Sequence, residues 1–459
     1  MDVSLLLETD SYKASHWLQY PEDLTAMGAY LESRGGDHPE VLFFGLQMLL
    51  AELLARPVSA ADLAEAEEIW RLHGLPFHAV GWQRLVDVHG GWLPLRIRAV
   101  PEGSRVPTGQ VLMTVESTDP QLAWLVTWVE TALLRVWYPI TVATRSWHFR
   151  DVLLHALERS ADDPAAALPF RLHDFGSRGV SSAATAAIGG LAHLVAFRGT
   201  DTAAALVAAR RYYGCPMAGF SIPAAEHSTI LAWGERHEAE AYRCMLDRFA
   251  RPGAVLAVVS DAYDLWNAVD HLWGGELREQ VIASGATLVI RPDSGDPLGI
   301  VPELLRRLEA RFGSHTNSRG YRVLKHVRVI QGDGITAQTL PLVLEAVLAA
   351  GYSAENVAYG MGGGLLQQLN RDTQRFAYKV SWVERGGRVV PVAKRPITDP
   401  AKASKAGILD LVRQDGEYRT VVRPAPGVYA DSCLVTVYEN GRLADPVTLD
   451  QVRERALQG

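Results

Sequence analysis

The second half of the chain repeats one arrangement of apolar and polar positions. A short apolar run ends in an acidic, basic or glycine cluster, and a stretch with helical periodicity follows. The arrangement occurs at FRLHDFG (170–176), VLAVVSD (255–261), TLVIRPDSG (287–295), HVRVIQGDG (326–334) and NVAYGMGGG (356–364). Apolar runs separated by helices are typical of parallel strands, whose carboxyl ends bind ligands. The pattern therefore predicts an α/β fold, an irregular α/β barrel with a composite active site.

The first part of the chain has a different pattern. Residues 41–72 have helical periodicity, with Ser59 as a predicted N-cap and Gly74 as a stop signal. Residues 92–118 alternate polar and apolar positions around Pro and Gly, which predicts strands and turns. The Trp-rich residues 122–137 predict a helical block whose aromatic stripe lies in the core or at a subunit interface.

These changes of pattern predict two domains. The tail returns to short strands and charged turns, so we expect a discontinuous α+β domain, residues 1–149 completed by residues 386–459. The α/β barrel takes residues 150–385, with predicted helices in the segments 181–197, 225–249 and 297–312.

Composition narrows the class of protein. The chain has 459 residues, of which 48% are hydrophobic and 21% charged, and its net charge is −7. This balance is that of a globular protein and argues against nucleic acid as a partner, so a polyanionic ligand must be small and locally cradled. The three cysteines form no CxxC pair, and we find no signal peptide and no apolar run of about 18 residues. We therefore expect a cytoplasmic protein that does not bind membranes.

The glycine cluster at residues 360–364 is a predicted phosphate cradle. It follows a predicted strand and opens a helical segment that contains Arg371. Glycines let backbone N–H groups approach a phosphate closely, and a helix N-terminus favours anions. The spacing matches neither GxGxxG nor a GK[ST] loop, so a dinucleotide fold or a Walker loop is not supported. A turn that needs glycine only for close packing is the alternative.

Charged residues follow the predicted strands. Arg291 and Asp293 are two residues apart at one strand end, and Asp261 and Asp333 occupy equivalent positions. Arginine can hold phosphate, and aspartate can bind ribose hydroxyls or Mg²⁺. Any one of these acids could be a helix N-cap, but together they favour a site for a sugar, a phosphate and a metal.

Two motifs contain histidine. His227 follows Glu226 at the start of a predicted helix, where an exposed imidazole can act in acid–base or nucleophilic chemistry, although a lone histidine is often structural. The HDFG sequence at 173–176 looks like a kinase Mg²⁺ motif, but no HRD element precedes it, which excludes a protein kinase.

Long blocks covering nearly the whole chain resemble the nicotinamide phosphoribosyltransferase family. The blocks are TDSYK (9–13), AVPEG (99–103), WYPITVATRS (137–146), LHDFGSRGVSS (172–182), FRGTDT (197–202), PAAEHSTI (223–230), VVSDAYD (258–264), IRPDSGDPL (290–298), RVIQGDG (328–334), GGGLLQQLNRD (362–372) and DPAKASKAG (399–407). The resemblance implies a type II phosphoribosyltransferase that forms homodimers with active sites at the subunit interface. It implies transfer from 5-phosphoribosyl-1-pyrophosphate to nicotinamide in NAD salvage, with Mg²⁺ held largely by pyrophosphate and optional ATP hydrolysis through a phosphohistidine.

The resemblance also assigns residues to the base. Phe175 matches the aromatic residue that stacks on the pyridine ring, and Tyr12, beside Asp10, matches the residue that covers its other face from the partner subunit. Asp201 matches the acid that accepts a hydrogen bond from the carboxamide. An ionised aspartate accepts an amide donor and repels the carboxylate of nicotinate. The other residues matched around the base are Arg178, Ser221, Ala224 and Arg291.

Further matches concern the sugar donor. Asp293 with Gly332 and Asp333 matches the ribose site, and Gly362, Gly363 and Arg371 match the 5′-phosphate cradle. His227 matches the phosphorylated histidine and Asp261 the acid beside it. The basic residues matched to pyrophosphate, partly across the dimer, are Arg34, Lys379, Lys394 and Lys402.

One residue departs from the family pattern, and three other functions compete. Ser177 stands in HDFGSRG where the vertebrate-type pattern has an aromatic residue, which widens the expected entrance near the base. The competing functions are transfer to nicotinate or another base, a non-catalytic dimer, and a lyase or aldolase with a Schiff-base lysine. Asp201 argues against nicotinate, and the set of strand-end acids with His227 argues against a dimer without activity.

Overall fold

A computed structural model describes residues 3–398 and 403–459. The chain divides into two compact units. Unit 1 comprises residues 1–144, 212–214 and 370–459, and unit 2 comprises residues 145–211 and 215–369. The predicted barrel extended to residue 385, whereas residues 370–385 belong to unit 1, because the strand formed by residues 376–385 pairs with a strand near the N-terminus.

In the part of the chain that the structure describes, the strands fall into five sheets. In chain order they are β1 (Leu24–Ser33), β2 (Glu40–Leu42), β3 (Leu95–Ala99), β4 (Arg105–Pro107), β5 (Val111–Ser117), β6 (Leu172–Asp174), β7 (Gly199–Thr200), β8 (Val255–Val259), β9 (Thr287–Arg291), β10 (Ser314–Thr316), β11 (Arg322–Leu324), β12 (Val327–Gln331), β13 (Val357–Met361), β14 (Phe376–Arg385), β15 (Arg388–Pro391), β16 (Ile408–Gln414), β17 (Glu417–Arg423), β18 (Val435–Glu439) and β19 (Arg442–Leu443).

Helices connect and cover these strands. They are α1 (Leu46–Leu53), α2 (Ala60–Leu72), α3 (Ala79–His89), α4 (Leu125–Trp128), α5 (Glu130–Leu134), α6 (Trp137–Ser160), α7 (Pro164–Ala167), α8 (Ala183–His193), α9 (Ala203–Tyr213), α10 (His227–Leu231), α11 (Glu238–Phe249), α12 (Leu265–Asn267), α13 (Arg278–Ser284), α14 (Pro297–Phe312), α15 (Thr339–Ala349), α16 (Gly363–Leu366) and α17 (Leu449–Gln458). A π-helical stretch, Ala268–Glu276, follows α12. Within the described ranges, no helix is long and apolar enough to cross a membrane.

Unit 1 is built on a seven-stranded sheet in the order β15-β14-β1-β5-β3-β18-β19. Its ladders are antiparallel, and residues 370–459 supply four of the strands, β14, β15, β18 and β19. The apolar side of this sheet packs against α1 to α5, and the tryptophans predicted to lie in the core or at an interface do lie in the core, with Trp124 and Trp128 buried.

Unit 2 contains the predicted barrel. Its parallel strands follow the order β7-β6-β13-β12-β9-β8, and isolated parallel bridges at Phe220 and Ala224 join the segment between them to both edge strands, β7 and β8. The five strands read from the sequence are therefore confirmed, as is the irregular α/β barrel. Among the described residues, the ring closes through a segment with little regular ladder, held by the two isolated bridges at Phe220 and Ala224.

Local signals explain most element boundaries. Ser59 caps α2 as predicted, since its side chain accepts a hydrogen bond from the backbone of Asp62. The helix expected from residue 41 begins only at Leu46, because residues 40–42 pair with β4 as a buried strand. A continuous apolar run of this length does not distinguish a buried strand from a helix. The segment 225–249 is divided, because α10 ends at Leu231 and Gly234, with a φ of 79°, precedes a 3₁₀ turn that leads into α11.

Candidate active site

The carboxyl ends of the parallel strands gather the predicted residues of unit 2. Register pairs Met361 with Asp174 and Arg291 with Val259, so β6, β13, β8 and β9 end side by side. The next residues along the chain are those predicted from sequence, namely Phe175, Asp261, Asp293, Gly332, Asp333, Gly362 and Gly363. Parallel sheets place ligands at this edge, because the loops that follow the strands converge there.

Phe175 supplies a flat apolar surface at this edge. Its backbone N–H donates to the carbonyl of Met361 at 3.0 Å, which joins the loop after β6 to β13. A Cβ atom added to Gly360 would lie 2.0 Å from a ring carbon of Phe175, so the ring lies directly on the Gly360 backbone. The half-buried ring also packs on a small core of Ala257, Val289 and Ile330. Phe175 is therefore held where a planar base can stack on it.

Asp201 lies at the end of β7 with an exposed carboxylate. The Ser221 hydroxyl donates to Oδ1 of Asp201 at 2.5 Å. The backbone N–H of Asp201 donates to the carbonyl of Asp174 at 3.0 Å. Ser221 and Ala224 belong to the segment that closes the barrel, where Ala224 bridges to Ala257. The structure thus brings Asp201, Ser221 and Ala224 to one side of the barrel mouth.

His227 lies between two carboxylates. Its Nε2 is 3.1 Å from Oδ1 of Asp261, and its Nδ1 is 3.8 Å from Oδ2 of Asp293. The imidazole is 42% exposed, whereas the Asp261 side chain is only 6% exposed. His227 is the first residue of α10, so the helix start presents the ring outward. The arrangement suits a nucleophilic imidazole whose other nitrogen is oriented by an acid.

Asp261 and Asp293 form one connected group. Oδ2 of Asp261 accepts hydrogen bonds from the backbone N–H of Asp293 at 3.0 Å and from the Ser294 hydroxyl at 2.5 Å. The Arg291 guanidinium donates to Oδ1 of Asp293 at 2.7 Å. Arg291 also lies 5.8 Å from the centre of the Phe175 ring. Both carboxylates are thus fixed, and Arg291 connects them to the stacking residue.

The glycine turn after β13 has free space beside its backbone. A Cβ atom at Gly363 would meet no heavy atom within 4 Å, so the backbone there faces open space. A Cβ atom at Gly179 would lie 3.3 Å from the backbone of Gly363. The turn that contains Gly179 and the exposed Arg178 therefore lies beside the glycine turn. Asp333 is exposed on the adjacent loop, where its carbonyl accepts a hydrogen bond from Gln331 Nε2 at 2.7 Å.

The remaining predicted residues belong to unit 1. Burial lowers the pKa of Lys379, as do the nearby cations Arg34, Arg371 and Lys13, while the charge of Glu130 opposes that decrease. Arg34 donates to Glu32 at 2.7 Å. Unit 1 therefore brings Lys13, Arg34, Arg371 and Lys379 near one another, with Lys13 buried and paired with Glu130 at 2.6 Å.

The other predicted residues of unit 1 that the structure describes are exposed, namely Asp10, Tyr12 and Lys394. Asp10 accepts a hydrogen bond from the Thr131 hydroxyl at 2.8 Å, and Tyr12 is 60% exposed. Lys394 is exposed in the loop after β15. Lys402 lies outside the described residues.

The sequence interpretation missed several residues that hold the site. The Asp174 carbonyl accepts a hydrogen bond from the Asp201 backbone at 3.0 Å, and the Ser294 hydroxyl donates to Asp261 at 2.5 Å. Lys13 forms an ion pair with Glu130 at 2.6 Å. All three stand inside motifs already recognised, HDFG, RPDSGDP and TDSYK, so the signal was their place in those motifs. In the described ranges, no group of three or more His, Cys, Asp and Glu side chains could hold a metal ion.

Comparison with known proteins places this arrangement in a family. Residues 170–454 match the nicotinate phosphoribosyltransferase (NAPRTase) family model, and residues 4–97 match the model of the nicotinamide phosphoribosyltransferase N-terminal domain. Among curated proteins, the Xanthomonas campestris nicotinamide phosphoribosyltransferase is 56% identical over 99% of this chain and 98% of its own, and the Acinetobacter baylyi protein of that name is 31% identical over 99% and 97%.

Solved structures show the same fold at low identity. The nicotinate-nucleotide pyrophosphorylase from Pyrococcus furiosus has a TM-score of 0.60 at 16% identity and covers 99% of this chain and 95% of its own. Human nicotinic acid phosphoribosyltransferase has a TM-score of 0.57 at 18% identity, over 98% and 93%. The family model covers most of the chain, and a relative shares more than half of its residues over nearly the full length. The chain is therefore a pentosyltransferase of the nicotinate phosphoribosyltransferase family.

Proposed function

We propose that the protein transfers the phosphoribosyl group of 5-phosphoribosyl-1-pyrophosphate to nicotinamide, giving nicotinamide mononucleotide and pyrophosphate in NAD salvage. The observation that carries the proposal is the carboxylate of Asp201, exposed at the barrel mouth and held by Ser221 at 2.5 Å. The names of the two relatives support the same substrate.

Asp201 distinguishes the amide from the acid by charge. An ionised carboxylate accepts a hydrogen bond from the carboxamide NH₂, and it repels the carboxylate of nicotinate. Ser221 occupies one oxygen of Asp201, which leaves the other oxygen for the base. Phe175 supplies the stacking surface, and Arg178 and Ala224 complete the surroundings of the pyridine ring.

The reaction breaks the bond between ribose C1 and pyrophosphate while the pyridine nitrogen forms a new bond to C1. Positive charge develops on the ribose and negative charge on the leaving group. The carboxylate of Asp293, fixed by Arg291 at 2.7 Å, stabilises the ribose side, and Asp333 with Gly332 binds its hydroxyls. Gly362, Gly363 and Arg371 hold the 5′-phosphate, and Arg34, Lys379, Lys394 and Lys402 attract the pyrophosphate.

We further propose Mg²⁺ as the metal that accompanies the sugar donor. The donor set fits this ion, because Asp261, Asp293 and Asp333 offer oxygen ligands near the site without forming a closed cage of protein ligands. Mg²⁺ is commonly bound through one or two carboxylates together with substrate phosphates. When bound, it neutralises charge on the pyrophosphate.

ATP is the proposed optional co-substrate. A ring nitrogen of His227 attacks the γ-phosphorus of ATP, the bond to the bridging oxygen breaks, and ADP leaves with that electron pair. Asp261 lies 3.1 Å from Nε2, where it stabilises the positive charge that the ring acquires. The phosphohistidine adds negative charge beside the site and is later hydrolysed to phosphate.

A homodimer is the proposed assembly. Tyr12 is 60% exposed, and together with Asp10 it is available to cover the base in the partner's site. A large aromatic side chain exposed on a short 3₁₀ helix supports a role at an interface. The three cysteines are free thiols, which supports the expectation of a reducing cytoplasm.

The direct experiment is mononucleotide formation from 5-phosphoribosyl-1-pyrophosphate and Mg²⁺, with nicotinamide and nicotinate offered separately, each with and without ATP. We expect product from nicotinamide, increased by ATP. Product from nicotinate alone would instead assign the protein to nicotinate. Product from neither base would leave the non-catalytic dimer or another acceptor, and borohydride trapping with a sugar phosphate would reveal a Schiff-base lysine.

A further inference from the structure

Asp174 is a fully buried carboxylate directly behind the base pocket. It is the last residue of β6, with 0% of its surface exposed. Its Oδ1 accepts the backbone N–H of Gly176 at 2.7 Å, and its Oδ2 accepts the Thr200 hydroxyl at 3.3 Å. The Thr200 hydroxyl oxygen in turn accepts the backbone N–H of Thr202 at 3.0 Å. One carboxylate therefore connects the loop after β6 to the loop after β7.

These two loops carry the residues that define the base pocket. Phe175 lies between Asp174 and Gly176 in the chain, and Asp201 lies between Thr200 and Thr202. The backbone N–H of Asp201 also donates to the carbonyl of Asp174 at 3.0 Å. The side chain and the main chain of Asp174 thus fix the stacking residue and the proposed amide acceptor relative to each other.

Burying this carboxylate costs free energy that packing alone does not offset. Across the described residues, no Lys, Arg or His forms a salt bridge with Asp174, and burial raises its pKa. Helix α8 presses a glycine against it, because a Cβ atom at Gly190 would lie 3.0 Å from Oδ2. A buried charge compensated only by neutral donors is expensive, and its usual justification is a functional site.

We propose that Asp174 is a positioning residue that sets the preference for the base. It holds the Phe175 and Asp201 loops in one geometry through Gly176, Thr200 and the Asp201 backbone. This inference rests on the proposed preference for nicotinamide.

The test compares Asp174→Asn with the wild type in steady-state kinetics on both bases. Asn keeps the shape but loses the charge and one acceptor. We expect KM for nicotinamide to rise about tenfold, and the ratio of kcat/KM values for nicotinamide over nicotinate to fall about tenfold. KM for 5-phosphoribosyl-1-pyrophosphate stays within about twofold. The matched control is Asp62→Asn, another buried carboxylate that accepts a backbone N–H, in the capping box of α2.

A purely structural role gives a different result. Loss of stability lowers the amount of active enzyme, and it leaves both KM values and the base ratio as in the wild type. That outcome for a folded Asp174→Asn overturns the proposal. If this variant does not fold, Thr200→Val is the second test. It removes the hydroxyl between Asp174 and Thr202 and keeps the Asp174 side chain. It should raise KM for nicotinamide about threefold, and an unchanged KM overturns the proposal. A wild type that does not use nicotinamide refutes the proposed function instead.

Discussion

The Nε2 atom of His227 lies 3.1 Å from Oδ1 of Asp261. Asp261 is almost completely buried, and its other oxygen accepts hydrogen bonds from the Asp293 backbone and from Ser294. The acid is therefore held in place and in turn orients the ring. An oriented imidazole with one nitrogen directed at an acid is prepared for nucleophilic attack by the other nitrogen.

Replacement of His227 by Ala should abolish stimulation by ATP and preserve ATP-independent product formation. Asp261→Asn should reduce stimulation by about tenfold or more, because the ring loses its orienting charge. The measurement is mononucleotide formation with and without ATP, together with detection of phosphohistidine. A suitable control is His237→Ala, because this histidine is 62% exposed and its Nδ1 lies 3.3 Å from Oε1 of Glu240. Unchanged stimulation in the His227 variant contradicts the phosphohistidine.

Replacement of Asp201 by Asn should weaken discrimination against nicotinate by about tenfold or more, since the repelling charge is gone. Ser221→Ala should have a smaller effect, because it removes a hydrogen bond at 2.5 Å and leaves the charge. Competition between the two bases measures the ratio directly. Full preference for the amide in Asp201→Asn would show that another residue selects the base.

Replacement of Gly360 by Ala should displace the stacking ring. The new Cβ atom would lie 2.0 Å from a ring carbon of Phe175, closer than any real contact, so the ring has to move. We expect KM for nicotinamide to rise about tenfold or more, because the stacking surface shifts. The matched control is Gly299→Ala on α14, where a Cβ atom meets nothing within 4 Å and stability should change by less than about 1 kcal/mol. Equal KM values for nicotinamide in the two variants would show that Phe175 does not bind the base.

The stability of the protein should fall on acidification through His193. Burial lowers the pKa of this histidine to about 3 from the ordinary value of 6.5. The unfolded chain then binds a proton that the folded chain does not, so stability present above pH 6.5 decreases as the pH falls towards 3. At pH 5 the expected loss is about 2 kcal/mol relative to neutral pH.

Urea denaturation at pH 7 and pH 5 measures this loss. His193→Gln lacks the titrating group, so the difference in unfolding free energy between the two pH values should shrink by about 2 kcal/mol. Gln retains one donor and one acceptor for the Ser146 hydroxyl and the Leu172 carbonyl, which contact the two ring nitrogens of His193 at 3.0 and 3.3 Å. His237→Gln, at an exposed position, should keep the wild-type difference. An unchanged difference in His193→Gln means that another group controls acid stability.

The proposed dimer can be tested by complementation. Tyr12→Ala and Asp293→Ala should each be poorly active alone. A mixed dimer has one site with an intact Asp293 and the partner's intact Tyr12, so refolding an equal mixture should recover about a quarter of the wild-type sites. Activity that stays at the mean of the two separate variants would place Tyr12 in the site of its own subunit or outside it.

The positions of five barrel strands along the chain were readable from the sequence, whereas β7 and the order of the strands in the sheet were not. Each strand is a short apolar run with a polar or glycine end, and this local pattern is enough to predict β6, β8, β9, β12 and β13 with their exposed carboxyl ends. Motifs such as GMGGG and RPDSGDP marked the residues next to those ends. Sequence therefore determined which residues could form the site.

Tertiary structure decided how those residues are held. Residues 370–385 belong to unit 1 because β14 pairs with β1, a contact between positions more than 340 residues apart that no local pattern encodes. Residues 40–42 form a strand for the same reason, since pairing with β4 overrides their helical appearance. The contacts of Asp174 with Gly176, Thr200 and Asp201 likewise depend on β6 lying beside β7. Local propensity acts over a few residues, whereas pairing and burial depend on which distant segments meet, so only the folded chain fixes them.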